Sequence, residues 1–356
     1  MANTKIKENK EVEKLLLDLI KIPSESENEK EIGEFLSNRL SKDFIVKKQI
    51  VNEKKGNFNI LAYVGSPKIL LNAHLDTVPG QLRVYDDSEN IYGRGACDTK
   101  ASMASMILAA ENALKDGLTD FGLLFNVNEE GDFSGIKKAL EIIPKSVEYI
   151  IIGEPTSLEV VYGQKGILVF KIISNGKTAH GSTPELGENA IEKLMSNLVR
   201  LKEMNLPISK DLGKNNLNIA KISGGIADNV VPDYAESQIA IRCAVSPDLL
   251  IKQLEKEMRD VKIEVAMKYE PVVDSFVSVF SEKINVPKKT VSYFTEMYFL
   301  SKKAKCFVFG PGDGKYAHSI EERVEKLELA KAVEKYKEII TLLNTRNIDK
   351  LSKELI

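Results

Sequence analysis

The chain has 356 residues, 43% of them hydrophobic and 29% charged, with a formal net charge of −2. This suits a globular protein of two ordinary domains, and the near-neutral charge offers no electrostatic basis for holding nucleic acid or an anionic membrane. No apolar run approaches the roughly 20 residues that span a bilayer, and residues 1–13 are too polar for a signal peptide, so the expected location is the cytoplasm.

In chain order, helices come first. Val12, Leu15, Leu16, Leu19 and Ile20 recur at helical spacing, and Ile22-Pro23 ends that helix. Ser26 with Glu29 makes a capping-box pattern ahead of Ile32, Phe35, Leu36 and Leu40. Strands follow at residues 44–46 and 58–64, and the apolar run KILLNA, residues 68–73, predicts a buried strand. Residues 101–114 form an Ala- and Met-rich helix expected to be largely buried. Residues 121–128 and 147–152 are again buried-strand runs. Strands alternating with helices predict an α/β sheet covered on both faces.

After Gly166 the pattern changes. Residues 167–173 predict a strand, and residues 189–201 an amphipathic helix with Ala190, Ile191, Leu194, Met195, Leu198 and Leu201 on its apolar side. Strands at 217–222 and 235–244, a helix at 247–260 and a strand at 261–268 complete a βαββαβ order, that of a ferredoxin-like unit. After Pro271 the first pattern returns, with a strand at 305–309 and a last helix along Leu329, Val333, Tyr336, Ile340 and Leu343. The expected organisation is one α/β domain, residues 1–166 and 271–356, interrupted by an inserted domain, residues 167–270.

Cys97, Cys243 and Cys306 are far apart and form no C-x-x-C pair, so neither a disulfide framework nor a zinc finger is indicated. Cys97 has no local histidine to make it a nucleophile. The three histidines, His74, His180 and His318, all stand beside glycine, acid or turn residues.

The chemistry gathers in a few short motifs. In His74-Leu75-Asp76, residues i and i+2 of an extended segment point the same way. Asp76 can then orient a metal-bound His74, or the three residues are a polar turn. Tyr92-Gly93-Arg94-Gly95-Ala96-Cys97-Asp98 puts glycines just before an acid; the spacing of a phosphate-binding loop is absent. Glu129-Glu130 ends an apolar strand. Two buried neighbouring carboxylates repel and raise one pKa, and a cation beside them offsets this. One then serves as ligand and the other as general base; the other reading is an exposed acidic turn. Glu154 and His318 likewise sit in turns after apolar strands. In open α/β sheets the carboxyl ends of strands line the functional crevice. His74, Asp98, Glu130, Glu154 and His318 would converge there as mixed oxygen and nitrogen donors. Such a set suits Zn²⁺, with Co²⁺ or Mn²⁺ as substitutes, and one shared residue suits two ions.

HLDTVP (His74 to Pro79), YGRGACDTK (Tyr92 to Lys100), NEEG (Asn128 to Gly131), GEPT (Gly153 to Thr156) and the late GPG…AH (Gly310 to His318) together resemble the M20 family of metallopeptidases and amidohydrolases. The likeness runs in order along nearly the whole chain. It implies a mixed-sheet zinc-hydrolase catalytic domain with an inserted ferredoxin-like lid and dimerisation domain, and hence a homodimer. It also implies that Asp98 bridges two ions, with His74 and Glu154 completing one site and Glu130 and His318 the other. Glu129 is then the general base, Asp76 orients His74, and the Asp98–Thr99 peptide is cis. His180 resembles a lid histidine that stabilises the oxyanion, in some members from the partner subunit. Asn229 resembles a substrate-contacting Asn, and Arg242 an Arg that binds the substrate α-carboxylate.

The activity implied is hydrolysis of the amide bond of an N-acylated amino acid. The late motif GPGDGKYAH and Thr295-Glu296 resemble acetylornithine and acetyl-lysine deacetylases, with Glu296 either facing a cationic substrate side chain or lying solvated on a helix. An ornithine or lysine deacylase of arginine or lysine biosynthesis is therefore the expected function, the lysine version acting on substrate attached to an acidic carrier protein. The alternatives are desuccinylation of succinyl-diaminopimelate, dipeptide cleavage, a nucleophilic-cysteine hydrolase and, outside enzymes, a scaffold that has kept the fold alone.

Overall fold

The apolar runs of the first half of the chain become the middle of one large mixed sheet. In the computed structural model, which describes residues 2–345, the strands Ile69–His74, Phe121–Asn126 and Tyr149–Ile152 are buried at every position. They run parallel to one another, and Lys305–Val308 joins Tyr149–Ile152 in the same sense. Strands buried on both faces read as unbroken apolar runs, which is why these segments show no alternation. Antiparallel strands extend the sheet. Asn57–Val64 and then Ile45–Asn52 lie beyond Phe121–Asn126, and Val160–Gln164 lies beyond Lys305–Val308.

Every second residue of the parallel strands faces the same way. Ile69, Leu71, Ala73, Phe121, Leu123 and Phe125 enter one core with Leu16, Leu36, Met106 and Tyr336 of the helices Ala2–Lys21, Lys30–Leu40, Lys100–Lys115 and Lys326–Thr345. The helix Lys100–Lys115 buries all its residues except Glu111, Leu114 and Lys115, as its composition predicts.

The chain divides into two compact units. One contains the residues up to Tyr162, Asp274–Lys289 and those from Phe299 onward; the other contains Gly163–Val273 and Thr290–Tyr298. The segment Thr290–Tyr298, which the sequence groups with the first domain, thus belongs to the second unit. Gln164 holds it there: its side chain accepts from the Thr295 hydroxyl at 2.6 Å and the Thr295 N–H at 3.1 Å, and donates to the Thr295 carbonyl at 3.2 Å.

The second unit has one antiparallel sheet in the order Asn216–Gly224, Tyr234–Cys243, Gly166–Asn175, Val261–Tyr269. With the helices Ala190–Glu203 and Pro247–Glu257 between strands, this is the βαββαβ arrangement. Leu168, Phe170 and Ile172 pack against Leu194, Leu198 and Leu254 of the helices. Asn189 caps the first helix by accepting from the N–H groups of Ile191 and Glu192. Met195 is not part of the buried stripe: it is 58% exposed, because it stands a full residue step of rotation away from Leu194.

The Ser26–Glu29 capping box does not form, since Glu29 precedes the helix Lys30–Leu40 with no side-chain cap. Both side chains are drawn elsewhere, as described below. Three short strands, Tyr85–Asp86, Asn90–Tyr92 and Arg323–Glu325, make a small separate sheet that carries no periodic signal in the sequence. Among the described residues no helix is long and apolar enough to cross a membrane.

Glycines at the ends of strands let segments approach closely. A Cβ on Gly310 would lie 2.3 Å from Ser102 Oγ and 2.6 Å from the Glu154 carbonyl oxygen. The second contact is with backbone and cannot swing aside. Gly310→Ala is expected to destabilise the protein by about 1–3 kcal/mol through overpacking. A denaturation midpoint equal to wild type would show that the Glu154 segment shifts freely.

Candidate metal centre

Two of the histidines and a handful of acids gather where the parallel strands end. His74 is the last residue of Ile69–His74, and Asp76 follows it by two. Glu129 and Glu130 come just after Phe121–Asn126, and Glu154 just after Tyr149–Ile152. Asp98 lies two residues before the helix Lys100–Lys115, and His318 lies beyond Lys305–Val308 at φ +62°. Parallel neighbours finish at the same edge, so side chains distant in sequence meet there.

Asp98 stands between the two histidines. Its Oδ1 is 3.0 Å from His74 Nε2 and its Oδ2 is 3.3 Å from His318 Nε2. His318 Nε2 is also 2.6 Å from Glu130 Oε1. Ligand atoms of His74, Asp98 and Glu154 lie within 4.8 Å of one another, as do those of Asp98, Glu130 and His318, and those of His74, Glu129 and Glu130. The first two groups share Asp98, one oxygen toward each. The donors are imidazole nitrogens and carboxylate oxygens, a set that fits a pair of divalent ions such as zinc.

The charge balance also fits. Asp98, Glu129, Glu130 and Glu154 bring four carboxylates to two imidazoles. Burial would push His74 down, but its hydrogen bonds to Asp76 and Asp98 carry it well above the usual histidine value. Hydrogen bonds to Asp98 and Glu130 take His318 up to about 10. Asp98 is held well below the usual carboxylate range, because the hydrogen bonds and charge of His318 and His74 outweigh its burial. Protons on the histidines thus offset the surplus negative charge, and divalent cations would displace them.

Further residues fix the donors. The carbonyl oxygen of Asp76 lies 2.9 Å from His74 Nδ1. A carbonyl only accepts, so Nδ1 carries hydrogen and Nε2 is turned toward Asp98. The carboxylate of Asp76 is buried and accepts three times: from the Glu129 N–H at 2.9 Å, the Glu130 N–H at 3.0 Å and the Ser26 hydroxyl at 2.7 Å. Burial alone would raise Asp76, but His74, Ser26 and the Glu129 N–H hold it below its ordinary value. Glu29 accepts from Asn57 at 2.7 Å and from the Asn128 N–H at 2.9 Å, steadying the loop that bears Glu129 and Glu130. Ser26 and Glu29, which the sequence suggests as a helix cap, are therefore supports of this loop and of Asp76. The Thr99 hydroxyl donates to the Gly153 carbonyl, and the Asp98–Thr99 peptide is cis. Glu322 is a third support that sequence reasoning misses. It accepts from the N–H groups of Gly95, Cys97 and Asp98, and no motif singles it out.

The remaining predicted residues belong to the second unit. His180 and Asn229 are exposed and lie on touching backbone: Gly181 N–H donates to the Asn229 carbonyl at 2.7 Å, and His180 forms a bridge with Val230. His180 Nδ1 is 2.8 Å from the Ser182 hydroxyl. Arg242 is exposed on the strand Tyr234–Cys243, opposite Ile167 and Asn216. Glu296 is fully buried, so it is no solvated helix residue. All three cysteines are buried, and burial pushes each thiol upward, which removes the thiolate a cysteine nucleophile needs.

Replacing Asp76 with Asn keeps the shape but sets an N–H₂ group against donors that need an acceptor. Asp76→Asn is expected to weaken divalent-ion affinity roughly 10–100-fold. Competition with a chelator measures this, and unchanged affinity would remove Asp76 from the role.

The sequence model of peptidase family M20/M25/M40 matches residues 70–342. A probable carboxypeptidase of Talaromyces marneffei is 35% identical over 389 residues, covering 93% of this chain and 85% of its own length. Among solved structures, a tripeptidase from Staphylococcus aureus has a TM-score of 0.80 at 20% identity, covering 95% of this chain and 99% of that one. A dinuclear metal binding peptidase of Bacillus subtilis has a TM-score of 0.71 at 16% identity, covering 95% of this chain and 99% of that one. At such identities the two structures speak for the fold. The family match and the 35% identity over nearly the full length speak for descent, and this chain belongs to peptidase family M20/M25/M40.

Proposed function

We propose that the chain is a dinuclear exopeptidase that cleaves the amide bond before a C-terminal amino acid in a small peptide or N-acyl amino acid. The observation that carries this is Asp98, with one oxygen toward His74 and the other toward His318, and with Glu129 in the same cluster. His74, Asp98 and Glu154 would hold one ion, and Asp98, Glu130 and His318 the other. Zinc is the first choice, with cobalt or manganese next. Bound ions would polarise the scissile carbonyl and make water more acidic.

The protein's own groups do the rest. Glu129 takes a proton from the attacking water as its oxygen bonds to the carbonyl carbon. The C–N bond then breaks, and Glu129 passes the proton to the leaving nitrogen. His180 donates to the oxygen that gains charge. Asn229 contacts the substrate, and Arg242 grips its α-carboxylate with a two-pronged fork.

The related proteins bear peptidase names, a probable carboxypeptidase and a tripeptidase among them. They move the choice of substrate from N-acetylornithine or N-acetyl-lysine toward peptides. An acidic carrier protein has no support among them.

We also infer that the second unit provides its lid histidine to another copy of the chain in a homodimer. His180 and Asn229 lie on loops that leave the sheet at the Asn175–Tyr234 pair, whereas Arg242 pairs with Ile167 near the other end. Tyr234 and Arg242 are eight residue steps apart along the strand, roughly 26 Å. The α-carboxylate and scissile carbonyl of a substrate are only about one residue apart, roughly 3.8 Å. Arg242 and His180 of one copy therefore cannot both reach one substrate molecule while the sheet keeps this form.

Two outcomes are expected. Glu129→Gln should keep its bound metal and lose about 10²–10⁴ in turnover. The reaction should be read on a zinc- or cobalt-loaded panel of dipeptides, tripeptides, acetylornithine, acetyl-lysine and succinyl-diaminopimelate. Near-wild-type turnover would take the base role from Glu129, and hydrolysis of acetylornithine alone would return the function to deacylation. For the shared site, Glu129→Gln and His180→Ala should each be nearly inactive alone. After subunit exchange, about a quarter of wild-type activity should return, because half of randomly mixed dimers pair the two variants and each such pair has one intact site. Verified exchange with no recovery would place His180 in its own copy's site.

A further inference from the structure

Three backbone N–H groups of the glycine-rich turn point at a single oxygen. Gly95, Cys97 and Asp98 donate to Oε1 of Glu322 at 2.9, 3.2 and 3.1 Å. The other oxygen accepts from Arg94 Nη1 at 2.6 Å. Converging N–H groups around a left-handed residue make an anion-binding hollow, and Gly95 has φ +83°. Phosphates and carboxylates of ligands occupy such hollows in other proteins. Here the anion belongs to the chain itself and is sealed in, with Glu322 only 1% exposed.

The position of Glu322 gives that contact its meaning. It lies four residues after His318, and 224 residues after Asp98. Its carboxylate joins the segment that bears the shared Asp98 to the segment that bears His318. The Gly93 N–H on the Glu322 carbonyl, at 3.1 Å, joins the same two segments. The other donors are fixed differently. His74 is held by Asp76, and Glu154 adjoins Gly153, whose carbonyl accepts from Thr99. Loss of the Glu322 carboxylate would therefore loosen His318 relative to Asp98 and leave His74 and Glu154 in place.

We propose that Glu322 is a positioning residue that sets the affinity of the ion held by Asp98, Glu130 and His318, and hardly affects the ion held by His74, Asp98 and Glu154. This rests on the two-ion reading above. Its physical basis is preorganisation: donors already in place bind tightly, while donors that must be ordered on binding bind less tightly.

The test is calorimetric titration of chelator-stripped protein with Zn²⁺, with thermal unfolding of the stripped protein alongside. His318→Ala removes a donor from one group alone and so marks which of the two binding steps belongs to it. Glu322→Gln, which keeps size and one acceptor oxygen, should weaken that same step roughly tenfold, and Glu322→Ala up to roughly a hundredfold. The other step should stay within about threefold of wild type in both variants, since Asp98 keeps its tie to the Glu154 segment through Thr99 and Gly153 and His74 keeps its tie to Asp76. A residue important only for stability would lower the unfolding temperature without separating the two steps. Parallel weakening of both steps, or of neither, in folded Glu322→Gln overturns the inference even if Glu322→Ala fails to fold. A wild-type protein that takes up a single ion overturns the two-ion reading, and this inference with it.

Discussion

Crowded negative charge where the parallel strands end is the constraint on which the centre depends. Asp98, Glu129, Glu130 and Glu154 come within a few ångströms of His74 and His318, in a place where His74 and Glu154 are almost fully withdrawn from water. Carboxylates so placed cannot all remain ionised without positive charge beside them. The histidines meet that need with protons, and divalent ions would meet it more fully. The same electrostatic demand that threatens the fold is thus what suits the site to divalent cations.

The supports answer a second demand, that of geometry. A ligand carboxylate or imidazole can turn about its single bonds, and each ordered donor must be held against that freedom. Asp76 does this for three residues at once. It orients His74 and accepts from the N–H groups of Glu129 and Glu130, while Ser26 steadies it in turn. Glu322 does the corresponding work for the turn before Asp98. Neither acid belongs to the donor groups, yet each lies one hydrogen bond away from residues that do.

The second unit follows a simpler logic. Its sheet alternates buried and half-exposed residues along Gly166–Asn175, one face against two helices. A stiff sheet of this kind keeps the groups at its two ends at fixed separations. Arg242 near one end and the His180–Asn229 loops at the other are held too far apart for one small substrate. In the proposed dimer a second copy would supply that histidine.

Much of this was legible from the chain alone. The parallel strands announced themselves because burial on both faces leaves no room for polar residues, and the helix Lys100–Lys115 did so for the same reason. His74, Glu129, Glu130 and Glu154 could be picked out because each closely follows such a strand, where an acid or histidine is costly unless used. What the sequence could not reveal is partnership across distance. Ser26 and Glu29 satisfy a local capping pattern, but tertiary contacts offered them Asp76 and the Asn128 N–H instead. Glu322 has no neighbours in sequence that hint at its role, because the N–H groups it gathers lie more than two hundred residues away. The alignment of Thr290–Tyr298 with the second unit likewise rests on hydrogen bonds to Gln164 that no periodicity encodes. Local composition marked out the acids and histidines that stand at the ends of the buried strands. Only the folded chain decided which of them hold the others in place, because hydrogen-bond partners are chosen by proximity in space.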